Sequence, residues 1–130
     1  MKVRLGQVAR GIANAVKAGR YFETVHPTPD PSAGAYSAVV VMTGGTAQTY
    51  AQATLQYDVV LSAPVTDFLA SLDWLSEGIE AVGEALRADP RCQGSCTGVS
   101  VASWGEVYTS NLNGADVLAV RVTLTPTYAT

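Results

Sequence analysis

Residue types that commonly perform catalysis are sparse in this chain of 130 residues. The single histidine, His26, lies among prolines in a segment predicted to be a surface loop, so it is a poor candidate for a general base. Residues 98–102 (GVSVA), with Ser100 at their centre, lack the last glycine of a nucleophile elbow, and a strand rather than a helix is predicted to follow. Residues 44–46 (GGT) have no lysine and open no helix, unlike a phosphate-binding loop. We therefore expect no catalytic residue, no cofactor and no enzyme activity.

Cys92 and Cys96 are the only two cysteines. They are too few for a metal site, and His26 is far away in sequence. Two interpretations stay open: free thiols in a reducing compartment, or a disulfide that closes the loop after release from a cell.

Four acids lie on one face of a predicted helix, and they are Asp73, Glu77, Glu80 and Glu84. Paired carboxylates can act as acid and base or bind a metal. These four follow an open helix face with no second set of ligands, so we expect a ridge that faces solvent or a partner.

Two amphipathic helices are predicted. The second covers residues 67–88, capped by Thr66 or Asp67, and six apolar residues at helical spacing form its core stripe: Phe68, Leu72, Leu75, Ile79, Val82 and Leu86. The first covers residues 2–18, with Arg10 and Lys17 on the face opposite its apolar stripe and Gly19 at its end.

Strands are predicted around the second helix. They cover residues 21–25, 36–42, 53–61, 98–108 and 116–126, with a turn at residues 113–114 (NG). A proline-rich loop, residues 27–31, follows the first strand, and a polar loop, residues 43–52, follows the second. The prediction is a single α+β domain of order α-β-β-β-α-β-β, with a mostly antiparallel or mixed sheet of about five strands packed by two helices.

Charge is scarce and uneven. Charged residues make up 15% of the chain, the net charge is −3, and five of the eight basic residues lie in the first twenty positions. The acidic balance argues against a dedicated nucleic-acid binder, and the thin charge suggests a surface covered by partners. The longest apolar run, residues 38–42, is too short to span a bilayer, and no signal peptide is evident, so we expect the cytoplasm.

A third face of the second helix places Trp74 among small residues, namely Ala70, Ala81 and Ala85. Small neighbours permit close approach of another element. The tryptophan is therefore either additional core or a subunit contact, and its enrichment in interface hot spots favours the contact. Trp104 and Tyr108 raise the same question.

The element order and hydrophobic pattern resemble those of the tail terminator proteins of long-tailed (siphovirus-type) phages. The resemblance covers essentially the whole chain and follows the family order of helix, short strand, proline segment, strand, strand, long helix and closing hairpin: residues 5–16, 21–25, 27–31, 38–42, 55–61, 68–86 and 99–124. Residues 44–52 and the cysteine loop have no counterpart that we assign to the family.

The resemblance implies a structural virion protein rather than an enzyme. Members form a homohexameric ring on the head-proximal end of the tail tube, stop its polymerisation and present a surface to the neck or head-completion protein. DNA passes through the lumen only later, no membrane is involved, and assembly takes place in the host cytoplasm. We expect the polar loop to dock on the tube through Thr46, Gln48, Thr49 and Tyr50, with residues 27–31 as a second candidate.

A ring needs complementary patches on each subunit. We expect Arg10 and Lys17 of one subunit to lie near Glu77 or Glu84 of the next, with Trp74 and Ala81 at the same contact. Pairing of the same two helices within one chain is the alternative.

Other functions stay open. A head-tail stopper or tail-completion factor shares the size and the ring symmetry. A small hydrolase would require Ser100 or a helix acid in a cleft. A binding module of the host cell is a further alternative.

Overall fold

The computed structural model describes residues 4–28, 36–49, 52–112 and 114–129, which form two helices and seven strands. In chain order they are α1 (Leu5–Ala18), β1 (Thr24–His26), β2 (Ser37–Thr49), β3 (Gln52–Pro64), α2 (Phe68–Ala88), β4 (Val101–Trp104), β5 (Tyr108–Leu112), β6 (Ala115–Leu124) and β7 (Thr127–Ala129). The class is α+β, as predicted.

The seven strands form one mixed sheet of order β1-β2-β3-β6-β4, in which β5 also pairs with β6 and β7 with β3. Among the pairs formed by the described residues, only β1 and β2 are parallel. The predicted order is correct through α2, but the predicted closing pair consists of four strands. Residues 105–107 interrupt the first of these, where the Gly105 N–H donates to the Arg121 carbonyl (3.0 Å), and Pro126 separates β6 from β7.

The β2–β3 hairpin corrects the predicted loop over residues 43–52. Both strands continue through most of it, and Gly44 pairs with Gln56 and Gly45 with Leu55 beyond an irregularity at residues 42–44. On the other edge of β3, the Leu55 N–H donates to the Pro126 carbonyl (2.8 Å), and β7 pairs with Gln52–Thr54. Glycine and polar residues suggested a loop, but residues 43–49 pair with the start of β3, and β7 holds that start from its other edge.

The predicted turn at residues 113–114 is confirmed in the part that is described. Gly114 has a positive φ of 87°, and its N–H donates to the Asn111 carboxamide oxygen (3.0 Å). Leu112 pairs with Ala115 across this turn, which therefore joins β5 to β6.

Both helices pack on the same face of the sheet. Tyr57 and Leu61 point to this face from β3, and the Tyr57 hydroxyl donates to the Leu5 carbonyl of α1 (2.9 Å), while Leu61 lies beneath α2 at Gly78. Alternate residues of β6, including Val120 and Val122, continue the same fully buried layer. The core therefore lies between the two helices and the centre of the sheet.

Helix α2 begins at its predicted cap. Asp67 accepts a hydrogen bond from the Ala70 N–H (3.2 Å), so Asp67 rather than Thr66 is the cap. The predicted apolar core stripe of α2 is only partly correct, because Leu75, Val82 and Leu86 are buried whereas Phe68 is 54% exposed. Leu72 and Ile79 are half-buried.

The reason for this difference is the line of small residues along α2. Ser71, Gly78 and Ala85 are buried with the large apolar residues. A Cβ on Gly78 would lie 3.1 Å from Leu61 Cδ1, so the helix approaches the sheet most closely along this line. The apolar stripe is therefore rotated, and its outer members lie at the edge of the contact.

Helix α1 makes a comparably close contact at Gly11. A Cβ there would meet the Ser95 hydroxyl and would lie 2.5 Å from the Cys92 carbonyl oxygen. We expect Gly11→Ala to lower the free energy of unfolding by about 1–3 kcal/mol, because a backbone atom blocks the new methyl group. Urea unfolding monitored by circular dichroism measures the change.

Gly83→Ala is the matched control. Gly83 is also inside a helix, but its Cβ would meet only the end of the flexible Arg87 side chain, at 3.5 Å. It should raise stability by about 0.5–1 kcal/mol. Equal effects of the two substitutions would contradict the close packing at Gly11.

Candidate functional site

The basic face of α1 is open to solvent. Arg10 and Lys17 are seven residues apart on the same side of the helix, and both are exposed. In the described ranges the one ion pair joins Arg121 to Asp58 (3.5 Å), so neither α1 cation is paired with an acid there. The predicted intrachain pairing of these cations with Glu77 or Glu84 is therefore not observed in the described part of the chain.

The acidic ridge of α2 is exposed along its length, over Asp73, Glu77, Glu80 and Glu84. Glu77 alone among them has a recorded polar contact in the described residues, with the Tyr21 hydroxyl at 3.5 Å. The basic face and the acidic ridge lie on two helices that pack against each other, so the chain presents both signs of charge on its helical layer.

Trp74 lies in an aromatic cluster with Tyr21, Phe22 and Tyr36. Its ring stacks on that of Tyr21, with 5.5 Å between the ring centroids. Phe22 and Tyr36 make edge-to-face contacts with it, at centroid distances of 5.6 and 5.2 Å. The Tyr21 hydroxyl also donates to the Trp74 carbonyl (2.7 Å). Trp74 therefore packs against the core, which is one of the two interpretations offered by the sequence. A subunit contact through the exposed part of its side chain stays a prediction.

Ala81 and Glu84 lie farther along the same side of α2, beside the end of α1. With Gly19 and Arg20 they line a cavity of about 370 Å³. Arg20 has a positive φ of 60°, at the point where the chain leaves α1. The predicted contact residues thus form one continuous strip on α2, flanked by the α1–β1 connection.

A larger groove lies on the other side of the acidic ridge, between α2 and β4, and we call it the α2–β4 groove. Its volume is about 720 Å³, and Ile79, Val101 and Trp104 form its apolar lining, with Glu80 and Arg87 among its charged residues. Trp104 is 61% exposed. Sequence reasoning named Trp104 and the ridge acids Glu77 and Glu80 but not the groove, because the groove exists only once β4 pairs with the edge of β6.

Asp58 is a buried acid that sequence reasoning missed, because the alternation of polar and apolar residues along its strand indicated a solvent-facing position. It is 6% exposed on the sheet face opposite the helices, where it accepts a hydrogen bond from Thr123 (3.0 Å) and pairs with Arg121. The Arg121 guanidinium also lies 5.9 Å from the centre of the Tyr108 ring. The arrangement satisfies a buried carboxylate with a hydroxyl and a guanidinium, which accounts for Asp58 in structural terms.

The two residues considered in the sequence as a general base and a nucleophile, His26 and Ser100, lie far apart in the fold. His26 lies on β1 and Ser100 directly precedes β4, so they are at opposite edges of the sheet. In the described ranges no three histidine, cysteine, aspartate or glutamate side chains gather as metal ligands. The described helices include none long and apolar enough to cross a membrane.

The hairpin candidates lie at the end of β2. Thr46 and Thr49 pair in backbone register with Thr54 and Gln52, and Gln48 lies at an irregularity between Ala47 and Thr49. Tyr50 and residues 29–35 lie outside the described residues.

The sequence matches no protein-family model and no curated protein.

Burial and, after it, the Glu77 carboxylate raise the pKa of Tyr21 from 10.0 to about 12. The folded chain therefore keeps this phenol proton in a range where the unfolded chain loses it. The resulting stability is fully present below pH 10 and is lost as the pH rises through about 12.

We expect Tyr21→Phe to flatten the fall of stability between about pH 10 and 12. At neutral pH the same substitution should lower the free energy of unfolding by about 1 kcal/mol, because it removes the hydrogen bond to the Trp74 carbonyl. Urea unfolding across this pH range measures both effects.

Glu77→Gln is the control, since it removes the charge and keeps the phenol. It should move the Tyr21 titration, followed by tyrosinate absorbance, towards pH 10. An unchanged alkaline slope in Tyr21→Phe would contradict this assignment.

Proposed function

We propose that this protein is a structural component of a phage tail, of the tail terminator type. It would form a ring, six-membered in the family it resembles, on the head-proximal end of the tail tube. The ring would stop polymerisation of the tube and offer the attachment surface for the neck, while DNA passes through its lumen. The proposal rests on the sequence resemblance together with the surfaces described above.

The observation that carries the proposal is the separation of charge on the helical layer. Closed rings use heterologous contacts, in which two different patches of one subunit meet their complements on its neighbours. The basic face at Arg10 and Lys17 has no acid partner in the described part of its own chain, and the acidic ridge has no basic partner there. Each patch is therefore available for the other on a neighbouring copy.

The α2–β4 groove adds apolar area beside the acidic ridge. An exposed tryptophan suits an interface centre, and a guanidinium on its face would add a cation–π interaction. We propose that α1 of the neighbouring subunit lies along the ridge, with Arg10 and Lys17 near Glu77 or Glu84. Trp74 and Ala81 would flank the same contact.

The end of the β2–β3 hairpin is the proposed contact with the tube. Beyond the three residues that pair with β1, no further strand is recorded along the free edge of β2 in the described ranges. An unpaired edge offers backbone donors and acceptors to another chain. β7 supports the hairpin from the other side through Gln52–Thr54.

Charge reversal tests the subunit contact. We expect the double variant with Arg10→Glu and Lys17→Glu to weaken assembly at least about tenfold, because two acids would then face the acidic ridge. Native mass spectrometry across a range of protein concentrations measures the oligomer.

Two further variants complete this test. Arg91→Glu changes one exposed charge outside α1 and should leave assembly unchanged. Glu77→Lys with Glu84→Lys, added to the double variant, should restore it. Unchanged oligomers in the double variant would contradict the contact between subunits.

Substitution at the hairpin end tests the docking on the tube. We expect Gln48→Ala, Thr49→Ala and Tyr50→Ser together to leave the ring intact but to give tubes of irregular, extended length when mixed with the tail tube protein of the same phage. Electron micrographs provide the length distribution. Thr109→Ala with Ser110→Ala in the β5–β6 hairpin is the control, and normal tube lengths in the triple variant would rule out this docking.

A further inference from the structure

The segment between α2 and β4 folds back on itself around the two cysteines. The Ser95 N–H donates to the Cys92 carbonyl and the Cys96 N–H to the Arg91 carbonyl, both at 3.3 Å. These hydrogen bonds close the backbone within six residues. They bring Cys92 and Cys96 to the neck of one turn.

Both thiols are buried at this neck. Cys92 is fully buried and Cys96 is 6% exposed, and each thiol shifts the pKa of the other. Cys96 Sγ also lies 3.9 Å from the Pro90 carbonyl oxygen. Since the chain has no other cysteine, each thiol has a single intrachain partner for a disulfide.

Neighbouring groups, rather than a covalent bond, hold this turn. Cys92 and Gln93 have positive φ values of 46° and 59°, a conformation that residues other than glycine adopt at a cost. The Ser95 hydroxyl donates to the Cys92 carbonyl (2.8 Å), and the Asp89 carboxylate accepts from the Gln93 N–H (3.0 Å). Gly11 of α1 closes over the same carbonyl, so the fold brings the two thiols together in advance.

We propose that Cys92 and Cys96 are a redox pair that an oxidised low-molecular-weight disulfide converts to an intrachain disulfide, which fastens the α2–β4 segment beneath α1. This proposal is independent of the proposed function.

The reaction has two exchange steps. The Cys96 thiolate attacks one sulfur of the small disulfide, forms a mixed disulfide and releases one small thiol. Cys92, after losing its proton, attacks Cys96 Sγ, forms the Cys92–Cys96 bond and releases the second small thiol. The protein loses two electrons and two protons, and the small disulfide gains both pairs.

Cys96 is the attacking sulfur because it has the better access and the stronger acidity. The hydrogen bond from Cys92 lowers the pKa of Cys96 and outweighs burial, which raises it, and a backbone hydrogen bond from Gly98 lowers it further. The same hydrogen bond between the thiols, and then burial, raise the pKa of Cys92. The thiolate is the nucleophile in exchange, so the first bond forms at Cys96.

The test is equilibration of the full-length protein with reduced and oxidised glutathione, natively and in denaturant, followed by acid quenching and intact mass analysis. We expect wild type to lose the mass of two hydrogens and to stay monomeric in covalent terms. The disulfide should be at least about tenfold more stable in the native protein than in the denatured chain. Oxidation should then raise Tm by about 5 °C, because the free energy by which folding stabilises the disulfide equals the free energy by which the disulfide stabilises the fold.

Single variants separate the two sulfurs. Cys92→Ala should trap one glutathione on Cys96, and Cys96→Ala should react much more slowly. A wild type that keeps two alkylatable thiols, retains a mixed disulfide or links two chains would overturn the proposal. So would a native disulfide no more stable than the denatured one, whatever the effect of the variants on folding.

Discussion

The close approach of two helices to one face of a sheet is the constraint on which the other features of this structure depend. Along α2 the contact with the sheet follows Ser71, Gly78 and Ala85, and α1 packs equally closely on the turn after α2, where no Cβ fits at Gly11. Interiors pack at crystal-like density, so a line of small residues determines how deeply a helix lies. This depth places the acidic ridge and the basic face outward, and it presses the cysteine turn beneath α1.

The surfaces follow from this arrangement. Because both helices occupy the same side of the sheet, their outward faces form one layer with opposite charges on its two parts. Trp74 lies inward, in an aromatic cluster that attaches the α1–β1 connection to α2, whereas Trp104 remains exposed at the sheet edge. The two tryptophans thus differ in role although both have small or polar neighbours in sequence.

Sequence reasoning predicted the elements whose signals are local. The cap at Asp67, the order through α2 and the turn at Gly114 each depend on residues within a few positions. It missed features that depend on distant partners. Residues 43–49 are strand because they pair with the start of β3, which β7 and Pro126 hold through hydrogen bonds on its other edge. Buried Asp58 has a hydrogen-bond partner because the register places Thr123 beside it, and the α2–β4 groove requires β4 at the edge of β6. The predicted subunit and tube contacts involve other chains, which an isolated chain does not contain.

We propose that copies of this chain close into a ring at one end of a tail tube. The most direct measurement is electron microscopy of the purified protein, alone and mixed with tubes of the tail tube protein from the same phage. We expect rings in end view, six-fold as in the family that the chain resembles, and added density at only one end of each tube. A protein that stays monomeric alone and leaves both tube ends bare would contradict it.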